Sequence, residues 1–153
     1  MILREYRPED CQELIRLFHE TVRTVNAEDY SQIQIEAWLS GGRSPADWNE
    51  SFSEHYTIVA EEDIITGFGD IDSSGYLDRL FVHKDFQRKK IATDICDILE
   101  KSITSGKITT HASVTAKPFF LSRGYTVTQK QNVLRNGIYL TNYIMEKSIS
   151  SFL

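Results

Sequence analysis

The sequence predicts one domain of the α/β (α+β) class, with a mixed, mainly antiparallel sheet flanked by helices. The hydrophobic period changes from helical to strand-like and back along the chain, and turn signals separate the strands. No linker, repeat or low-complexity tract divides the 153 residues, which is about the size of one ordinary domain. We therefore expect a single domain over residues 1–153, with the element order β-α-α-β-β-β-α-β-α-β-β.

The first part of the chain predicts one strand and two helices. Ile2 to Tyr6 has the pattern of a short strand, and Pro8 suits the first turn of the helix that follows. Apolar residues at spacings of three and four continue that helix to about Val25. A second helix is predicted from Ser31, an N-cap residue, to Leu39, and Gly41-Gly42 would end it.

The middle of the chain predicts three antiparallel strands. The runs "HYTIVAEE" and "IITGFGDID" are rich in strand formers, and Glu62-Asp63 between them predicts a hairpin turn. Ser73-Ser74-Gly75 predicts a further turn before the third strand, "YLDRLFV". From Ile91 the period is helical again.

The last part predicts a strand, a short helix and a closing hairpin. "KITTHASV" follows Gly106 as a strand, and "AKPFFLSR" forms a short helix that Gly124 ends. The final strands run from about Tyr125 to Leu134 and from Ile138 to Lys147. Asn136-Gly137 between them is a strong hairpin signal.

Composition excludes several classes of protein. The net charge is −5, with 41% apolar and 25% charged residues, which argues against a nucleic-acid or anionic-membrane partner. No apolar run approaches the roughly 18 residues that span a bilayer. The charged start predicts no signal peptide, so we expect a cytoplasmic protein. Cys11 and Cys96 lack metal or redox spacing and are expected to be reduced core thiols, and the scattered histidines predict no metal site.

A basic cluster stands where the helix beginning near Ile91 should start. The stretch "VHKDFQRKKIAT" puts Arg88, Lys89 and Lys90 at a helix N-terminus, where positive charge is unfavourable by ~0.3–1 kcal/mol per group. Free backbone N–H groups at such a position bind anions, so a bound phosphate would compensate. A solvated basic loop is the alternative, and composition alone does not decide between them.

Two motifs and the element order resemble the GNAT superfamily, the acyl-CoA N-acyltransferases. The family fingerprint is a strand ending L-x-V, a short loop, and Q/R-x-x-G-x-G/A; here it reads Leu80-Phe81-Val82, then Gln87 to Ala92. Ala116 to Tyr125 is similar to the family's A-x-x-F-Y-x-x-x-G-F. The resemblance covers essentially the whole chain, and Asp29 to Trp38 is similar to the second helix of a bacterial branch of acetyltransferases.

The resemblance implies acetyl-CoA as cosubstrate and assigns its contacts by position. Backbone amides of the fingerprint would hold the CoA pyrophosphate, with the Thr93 hydroxyl as a further donor. Amides of a splayed strand would bind pantetheine like an added strand, and one would polarise the thioester carbonyl. The pyrophosphate residues would be Gln87, Arg88, Lys89, Lys90, Ile91, Ala92 and Thr93, and the pantetheine residues Leu80, Phe81 and Val82.

Two residues depart from the family pattern. Lys90 stands at the first glycine, where glycine allows close approach of the phosphate. A lysine can adopt helical dihedrals, so we expect the fold to survive, with the stem crowding the anion or the ammonium pairing with it. Phe120, in the cosubstrate-binding segment, replaces a tyrosine that protonates the leaving thiolate in many members. The candidate substitutes, each of which could instead pack on the sheet, are Tyr125, Tyr139 and Tyr143.

The acceptor amine must lose a proton before it attacks. Asp78, expected on the same strand face as Leu80, is the candidate general base, and a surface carboxylate paired with Arg79 or Lys84 is the alternative. The weaker candidates are Asp70 and Asp72. The acceptor pocket, which the first two helices and the last hairpin build in the family, is expected to include Phe18, Tyr30 and Trp38, although Trp38 could equally be a core anchor.

Taken with the resemblance, the sequence predicts an N-acetyltransferase. It would act on a primary amine of a small molecule or peptide by direct transfer in a ternary complex, because no cysteine is expected near the thioester. We expect a monomer or homodimer without nucleic-acid, membrane or metal partners. A non-catalytic CoA-binding or sensing module is the alternative, since Lys90 and Phe120 both depart from the family pattern.

Overall fold

The computed structural model describes residues 1–149 and places seven strands in one sheet. The elements are β1 (Ile2–Glu5), α1 (Cys11–Thr24), α2 (Gln32–Leu39), α3 (Pro45–Glu54), β2 (Tyr56–Glu62), β3 (Ile64–Ile71), β4 (Tyr76–Val82), α4 (Ile91–Lys101), β5 (Gly106–Ser113), α5 (Lys117–Ser122), β6 (Thr126–Arg135) and β7 (Ile138–Ile149). The strand order is β1-β2-β3-β4-β5-β7-β6, and β4 with β5 is the parallel pair. The predicted fold class and all seven predicted strands are confirmed.

Helix α3 is an addition to the predicted order. Its N-cap is Ser44, whose hydroxyl accepts a hydrogen bond from the Asp47 amide at 3.1 Å, while the Asp47 carboxylate accepts one from the Ser44 amide at 3.4 Å. This reciprocal pair is a capping box, and Pro45 occupies the first helical position. The helix brings Trp48 and the fully buried Phe52 onto the sheet.

Two apolar clusters cover the two faces of the sheet. On one face, α4 packs Ile95 and Leu99, both fully buried, against β2, β3 and β4. On the other face, α1, α2 and α3 pack side chains such as Leu14 and Phe52 against β2 and β3. Burying each large apolar side chain stabilises the fold by roughly 1.5–3 kcal/mol, so the sheet is held rigidly between its helices.

The sheet splits between β4 and β5. The two strands pair only at Tyr76 with Thr109 and at Leu77 with Thr110. The Thr110 hydroxyl strengthens this short contact by donating a hydrogen bond to the Leu77 carbonyl at 2.8 Å. Beyond Leu77 the strands diverge, so the predicted splay at Leu80 to Val82 is confirmed.

Two expectations from composition can be compared with the structure. Cys11 and Cys96 are free, buried thiols, as predicted. Within residues 1–149, every helix is too short or too polar to cross a membrane.

Candidate active site

A cavity of about 640 Å³ lies where β4 and β5 diverge. Its wall combines both diverging strands with α1, α2, the loop before α4, α5 and the β6–β7 hairpin. Among the residues predicted to bind the cosubstrate or the acceptor, Lys89 is the one that does not line it. The predicted residues that do are Phe18, Tyr30, Trp38, Asp78, Leu80, Phe81, Val82, Gln87, Arg88, Lys90, Ile91, Ala92, Thr93 and Phe120.

The end of β4 presents peptide groups to this cavity. The His83 amide donates a hydrogen bond to the Thr66 carbonyl of β3 at 2.8 Å. Because peptide groups alternate along an antiparallel pair, the Phe81 groups also point to β3, and those of Leu80 and Val82 point to the open side. The Val82 carbonyl accepts hydrogen bonds from Thr21 Oγ1 at 2.9 Å and Gln87 Nε2 at 2.7 Å. The Leu80 and Val82 amides therefore lie on the side from which β5 has turned away.

The loop before α4 has the backbone pattern of a nest, a turn in which successive N–H groups point inward. Arg88 and Lys90 have positive φ values of 62° and 64°, whereas Lys89 between them does not. Such alternation turns successive N–H groups inward and creates an anion site. Lys90 is also the N-cap of α4 and makes no side-chain cap. The expectation that Lys90 takes helical dihedrals is wrong, because it occupies the left-handed conformation that favours the family's glycine.

Side chains of the loop have different roles. The Gln87 amide group spans the base of the loop, since its Nε2 donates to the Val82 carbonyl and, at 3.3 Å, to the His83 carbonyl. The Lys89 ammonium lies 5.2 Å from the centroid of the Phe86 ring, and Lys89 itself does not line the cavity. Gln87 thus positions the loop, and the exposed Arg88 and Lys90 supply its positive charge.

A β-bulge determines where Asp78 lies. Asp70 pairs with Arg79 but Ile71 pairs with Leu77, so Asp78 is the extra residue. Its carboxylate lies 3.7 Å from Arg79 Nη2 and is 32% exposed, whereas Leu80 packs against the α4 cluster. The expectation that Asp78 and Leu80 share a strand face is wrong, because the bulge shifts the alternation.

Asp70 is the centre of a buried ion-pair network beside Asp78. It accepts hydrogen bonds from the Arg79 amide and Arg79 Nε, each at 2.9 Å, and from the His55 ring at 3.0 Å. Arg79 also donates to Ser51 Oγ at 2.6 Å and lies over the Phe52 ring, 4.5 Å from its centroid. These contacts occupy the Asp70 carboxylate, so it has a structural role.

The same network brings together a possible set of metal ligands. His55, Asp70 and Asp78 each place one ligand atom within 4.8 Å of the others. The Arg79 guanidinium is already bound to Asp70 and lies beside Asp78. A metal cation would meet this positive charge at close range, so the residues fit an ion-pair network better than a metal centre.

The network also changes the acidity of the candidate base. Burial raises the pKa of Asp78 above its usual value, and the negative charge of Asp70 raises it further, while Arg79 and His55 oppose the shift. The pKa of His55 is raised by its hydrogen bond to Asp70. A carboxylate with a raised pKa is a stronger base once ionised, which suits proton transfer from an amine.

Aromatic side chains surround the cavity on the α1–α3 side. The Phe18 ring centroid lies 4.9 Å from that of Phe81, 5.3 Å from that of Trp48 and 6.2 Å from that of Trp38. Trp48 was not predicted because helix α3 was not. The Tyr30 hydroxyl donates to the Thr141 carbonyl at 2.7 Å and accepts from the Val114 amide at 2.8 Å. Tyr30 therefore anchors this wall of the cavity.

The position of the family's tyrosine is apolar here. Phe120 is 2% exposed and packs 5.0 Å from the Tyr125 ring, whose hydroxyl donates to Glu100 at 2.9 Å. None of the three candidate substitutes, Tyr125, Tyr139 and Tyr143, lines the cavity as the structure describes it. Tyr76 does line it, and sequence reasoning had no signal to separate this tyrosine from the others.

A gap between two strands, beside a loop with the backbone pattern of an anion site, suits a long ligand with a pyrophosphate at one end. This is the geometry of acyl-CoA-dependent transferases. A family model described as an acetyltransferase (GNAT) domain matches residues 26–147, and the chain belongs to this family.

Individual proteins of similar sequence or fold support the same family assignment. The N-acetyltransferase YafP of Escherichia coli K12 is 34% identical over 146 residues, covering 94% of this chain and 93% of that protein. A GCN5-related N-acetyltransferase from Rhodopseudomonas palustris has 33% identity and a TM-score of 0.91, covering 97% and 95% of the two chains. PaiA N-acetyltransferase from Thermoplasma acidophilum, crystallised with coenzyme A, shares the fold at 20% identity and a TM-score of 0.75, covering 96% and 98%. The predicted class of enzyme, an acyl-CoA-dependent N-acyltransferase, is confirmed.

Proposed function

We propose that this protein transfers an acetyl group from acetyl-CoA to a primary amine by direct attack in a ternary complex. The observation that carries the proposal is the break between β4 and β5 after Leu77. It leaves the Leu80 and Val82 peptide groups beside a cavity that joins the loop before α4 to an aromatic pocket. PaiA, which shares the fold, was crystallised with coenzyme A.

In this proposal the cosubstrate fills the gap in the sheet. The pantetheine amides pair with Leu80 and Val82 like an added strand. The pyrophosphate lies on the inward N–H groups of Arg88 to Lys90 and at the N-terminus of α4, with Thr93 as a further donor. The acetyl group then lies near the start of the split, where Asp78 lines the same cavity.

The chemistry requires two proton transfers from the amine. Asp78 takes the first proton, directly or through water, and the free nitrogen attacks the thioester carbonyl carbon. An amide of β4 stabilises the oxyanion while the new C–N bond forms. The C–S bond then breaks, and the sulfur takes the second amine proton, directly or through water, because Phe120 has none to donate.

Direct transfer is supported by the state of the cysteines. Neither Cys11 nor Cys96 lines the cavity. Burial raises the pKa of Cys96 to about 12, so its thiol is a poor nucleophile at neutral pH. Free thiols also fit the cytoplasmic location that we propose for the enzyme.

The test is release of free CoA thiol from acetyl-CoA across a library of primary amines, with calorimetry of acetyl-CoA binding alongside. We expect binding, and amine-dependent thiol release above the rate of hydrolysis. The alternative function, a CoA-binding sensor, is suggested by Phe120. Binding without amine-dependent release would favour the sensor, and the failure of acetyl-CoA to bind would refute both.

The left-handed conformation of Lys90 leads to a separate prediction. Lys90→Gly should raise the free energy of unfolding by roughly 1–2 kcal/mol, because glycine adopts positive φ without strain. The variant should bind CoA as tightly as the native protein or more tightly at about 1 M salt, and more weakly only at low salt, where the Lys90 charge acts over ~10 Å. Calorimetry at the two salt concentrations and urea unfolding would measure these effects.

The matched control is Lys90→Ala, which removes the same charge but keeps the strained backbone. It should weaken CoA binding at low salt without the gain in stability. If Lys90→Gly weakened binding equally at both salt concentrations, Lys90 would instead contact the phosphate in a desolvated geometry.

A further inference from the structure

The charge on the cavity wall is uneven. Among the lining side chains of residues 1–149, Asp78 is the single carboxylate. Four cations line the same cavity, namely Arg79, Arg88, Lys90 and Arg135. An amine acceptor is itself a cation at neutral pH, so this imbalance limits what else the acceptor can carry.

Three of these cations have no carboxylate within ion-pair distance in the described part of the chain: Arg88, Lys90 and Arg135. Arg88 and Lys90 belong to the loop before α4, and the CoA pyrophosphate of the proposed function would neutralise them. Arg135 is on the β6–β7 hairpin, whose tip is bound to the end of α2 through Asn136 and Ser40. It therefore lies on the acceptor side and remains unneutralised when the coenzyme is bound.

Arg135 and the candidate base act on one side chain of the cavity wall. Burial and the charge of Asp78 raise the pKa of the Tyr76 phenol, and the charge of Arg135 opposes this shift. Arg135 and Asp78 line the same cavity as this phenol and have opposite effects on its pKa. The only hydrogen bond from the Arg135 side chain among the described residues goes to the neighbouring Leu134 carbonyl, at 3.2 Å, so its other donors are available.

Arg79 shows the same shortage of acceptors. Its charge is balanced by Asp70, but its Nη1 is buried without a hydrogen-bond partner within residues 1–149. A buried donor without an acceptor is costly, by about 1–3 kcal/mol. Both arginines beside the acceptor pocket therefore have side-chain donors without an acceptor among the described residues, although only Arg135 lacks a carboxylate partner.

We infer that the acceptor is an amine that also carries a carboxylate on an apolar body, as a hydrophobic amino acid does. The inference rests on the proposed acetyl transfer. The ammonium lies at Asp78, the carboxylate pairs with Arg135, and the apolar body packs against Phe18, Trp38 and Trp48. A polyamine would bring a second positive charge to a wall that has no second carboxylate for it.

The test uses native enzyme, acetyl-CoA and four acceptors: L-phenylalanine, phenylalaninamide, phenethylamine and spermidine. The first three share one aromatic body and one amine and differ in the anionic group. The amines of these compounds differ in pKa, so kcat/KM is measured over a pH series. Each value is then recalculated for the concentration of unprotonated amine before the acceptors are compared. We expect phenylalanine to exceed the amide and phenethylamine by at least about tenfold, the effect of one hydrogen bond between charged groups.

Arg135→Gln tests the residue assigned to the carboxylate. It should lower the ratio of kcat/KM for phenylalanine to that for phenethylamine by about tenfold, mainly through KM for phenylalanine. Arg135→Lys should recover part of the ratio. The matched control is Arg16→Gln, the same loss of charge at an exposed site of α1 that does not line the cavity, and it should leave the ratio as it is.

Different outcomes separate the two proposals. Equal or faster turnover of phenethylamine or spermidine would overturn the acceptor class and leave acetyl transfer standing. If no amine led to release of the thiol, the proposal of acetyl transfer would be refuted. Calorimetry of phenylalanine and phenethylamine binding to the CoA-bound protein would then test the proposed class of acceptor. Tighter binding of phenylalanine would uphold it, and equal or undetectable binding would overturn it.

Discussion

Asp78→Asn is expected to lower kcat/KM at neutral pH by about 10²–10⁴-fold, with acetyl-CoA affinity nearly intact. Asparagine keeps the shape of the side chain but cannot take the proton of the amine. The variant should fold, since the nearest ion-pair contact of Asp78 is a long one, 3.7 Å from Arg79 Nη2. Thiol-release kinetics and calorimetry of acetyl-CoA binding would measure the two quantities.

The pH profile gives this prediction a second readout. Burial and the charge of Asp70 raise the pKa of Asp78. As the pH is lowered, native activity should therefore begin to fall at a higher pH than the pKa of an ordinary aspartate would give. That acid limb should be lost in Asp78→Asn. The control is Asp72→Asn, at a turn carboxylate that does not line the cavity. A loss of less than about tenfold in Asp78→Asn would move the role of base to another group or to bulk water.

Gly75→Ala should lower the free energy of unfolding by about 3 kcal/mol or more. Gly75 lies in the β3–β4 turn with φ of +93°, and an added Cβ would lie 2.5 Å from the Lys107 carbonyl oxygen. Left-handed strain costs roughly 1–2 kcal/mol and overpacking roughly 1–3 kcal/mol. The backbone has little room to yield, because the Thr109 amide donates a hydrogen bond to the Gly75 carbonyl at 2.9 Å.

The matched control for this steric argument is Gly106→Ala. Gly106 has a similar φ of +88°, but nothing lies within 4 Å of an added Cβ. Gly106→Ala should therefore lower the free energy of unfolding only by the backbone strain, about 1–2 kcal/mol. Urea unfolding without coenzyme would compare the variants, and equal losses would contradict the proposed clash with β5.

Turn chemistry and hydrophobic period predicted the strands well because both are local properties. At Asn136-Gly137 both residues have positive φ, 46° and 78°, as a tight hairpin turn requires. Helix α3 was missed because Trp48 and Phe52 are its only large apolar side chains, so its period is weak. Its start signal, Ser44-Pro45, was present but stood close to Gly41-Gly42, which follow the C-cap of α2.

The details of the candidate site were harder to predict because they depend on contacts across the sheet. The bulge at Asp78 arises from the register of β4 against β3, which the period of a single strand does not contain. The burial of Asp70 follows from its ion pair with Arg79, nine residues away on the next strand. The strain at Lys90 depends on where α4 begins, and the local sequence fixes helix ends less well than helix centres.

The split between β4 and β5 also bears on how long the protein survives in a cell. A molecule that binds only the folded chain stabilises it by mass action, by about 2.7 kcal/mol at a hundred times its Kd. If acetyl-CoA fills the split, the unfolded fraction open to proteases falls as the acetyl-CoA pool rises. The abundance of this acetyltransferase would then follow the supply of its own cosubstrate, with no separate regulator.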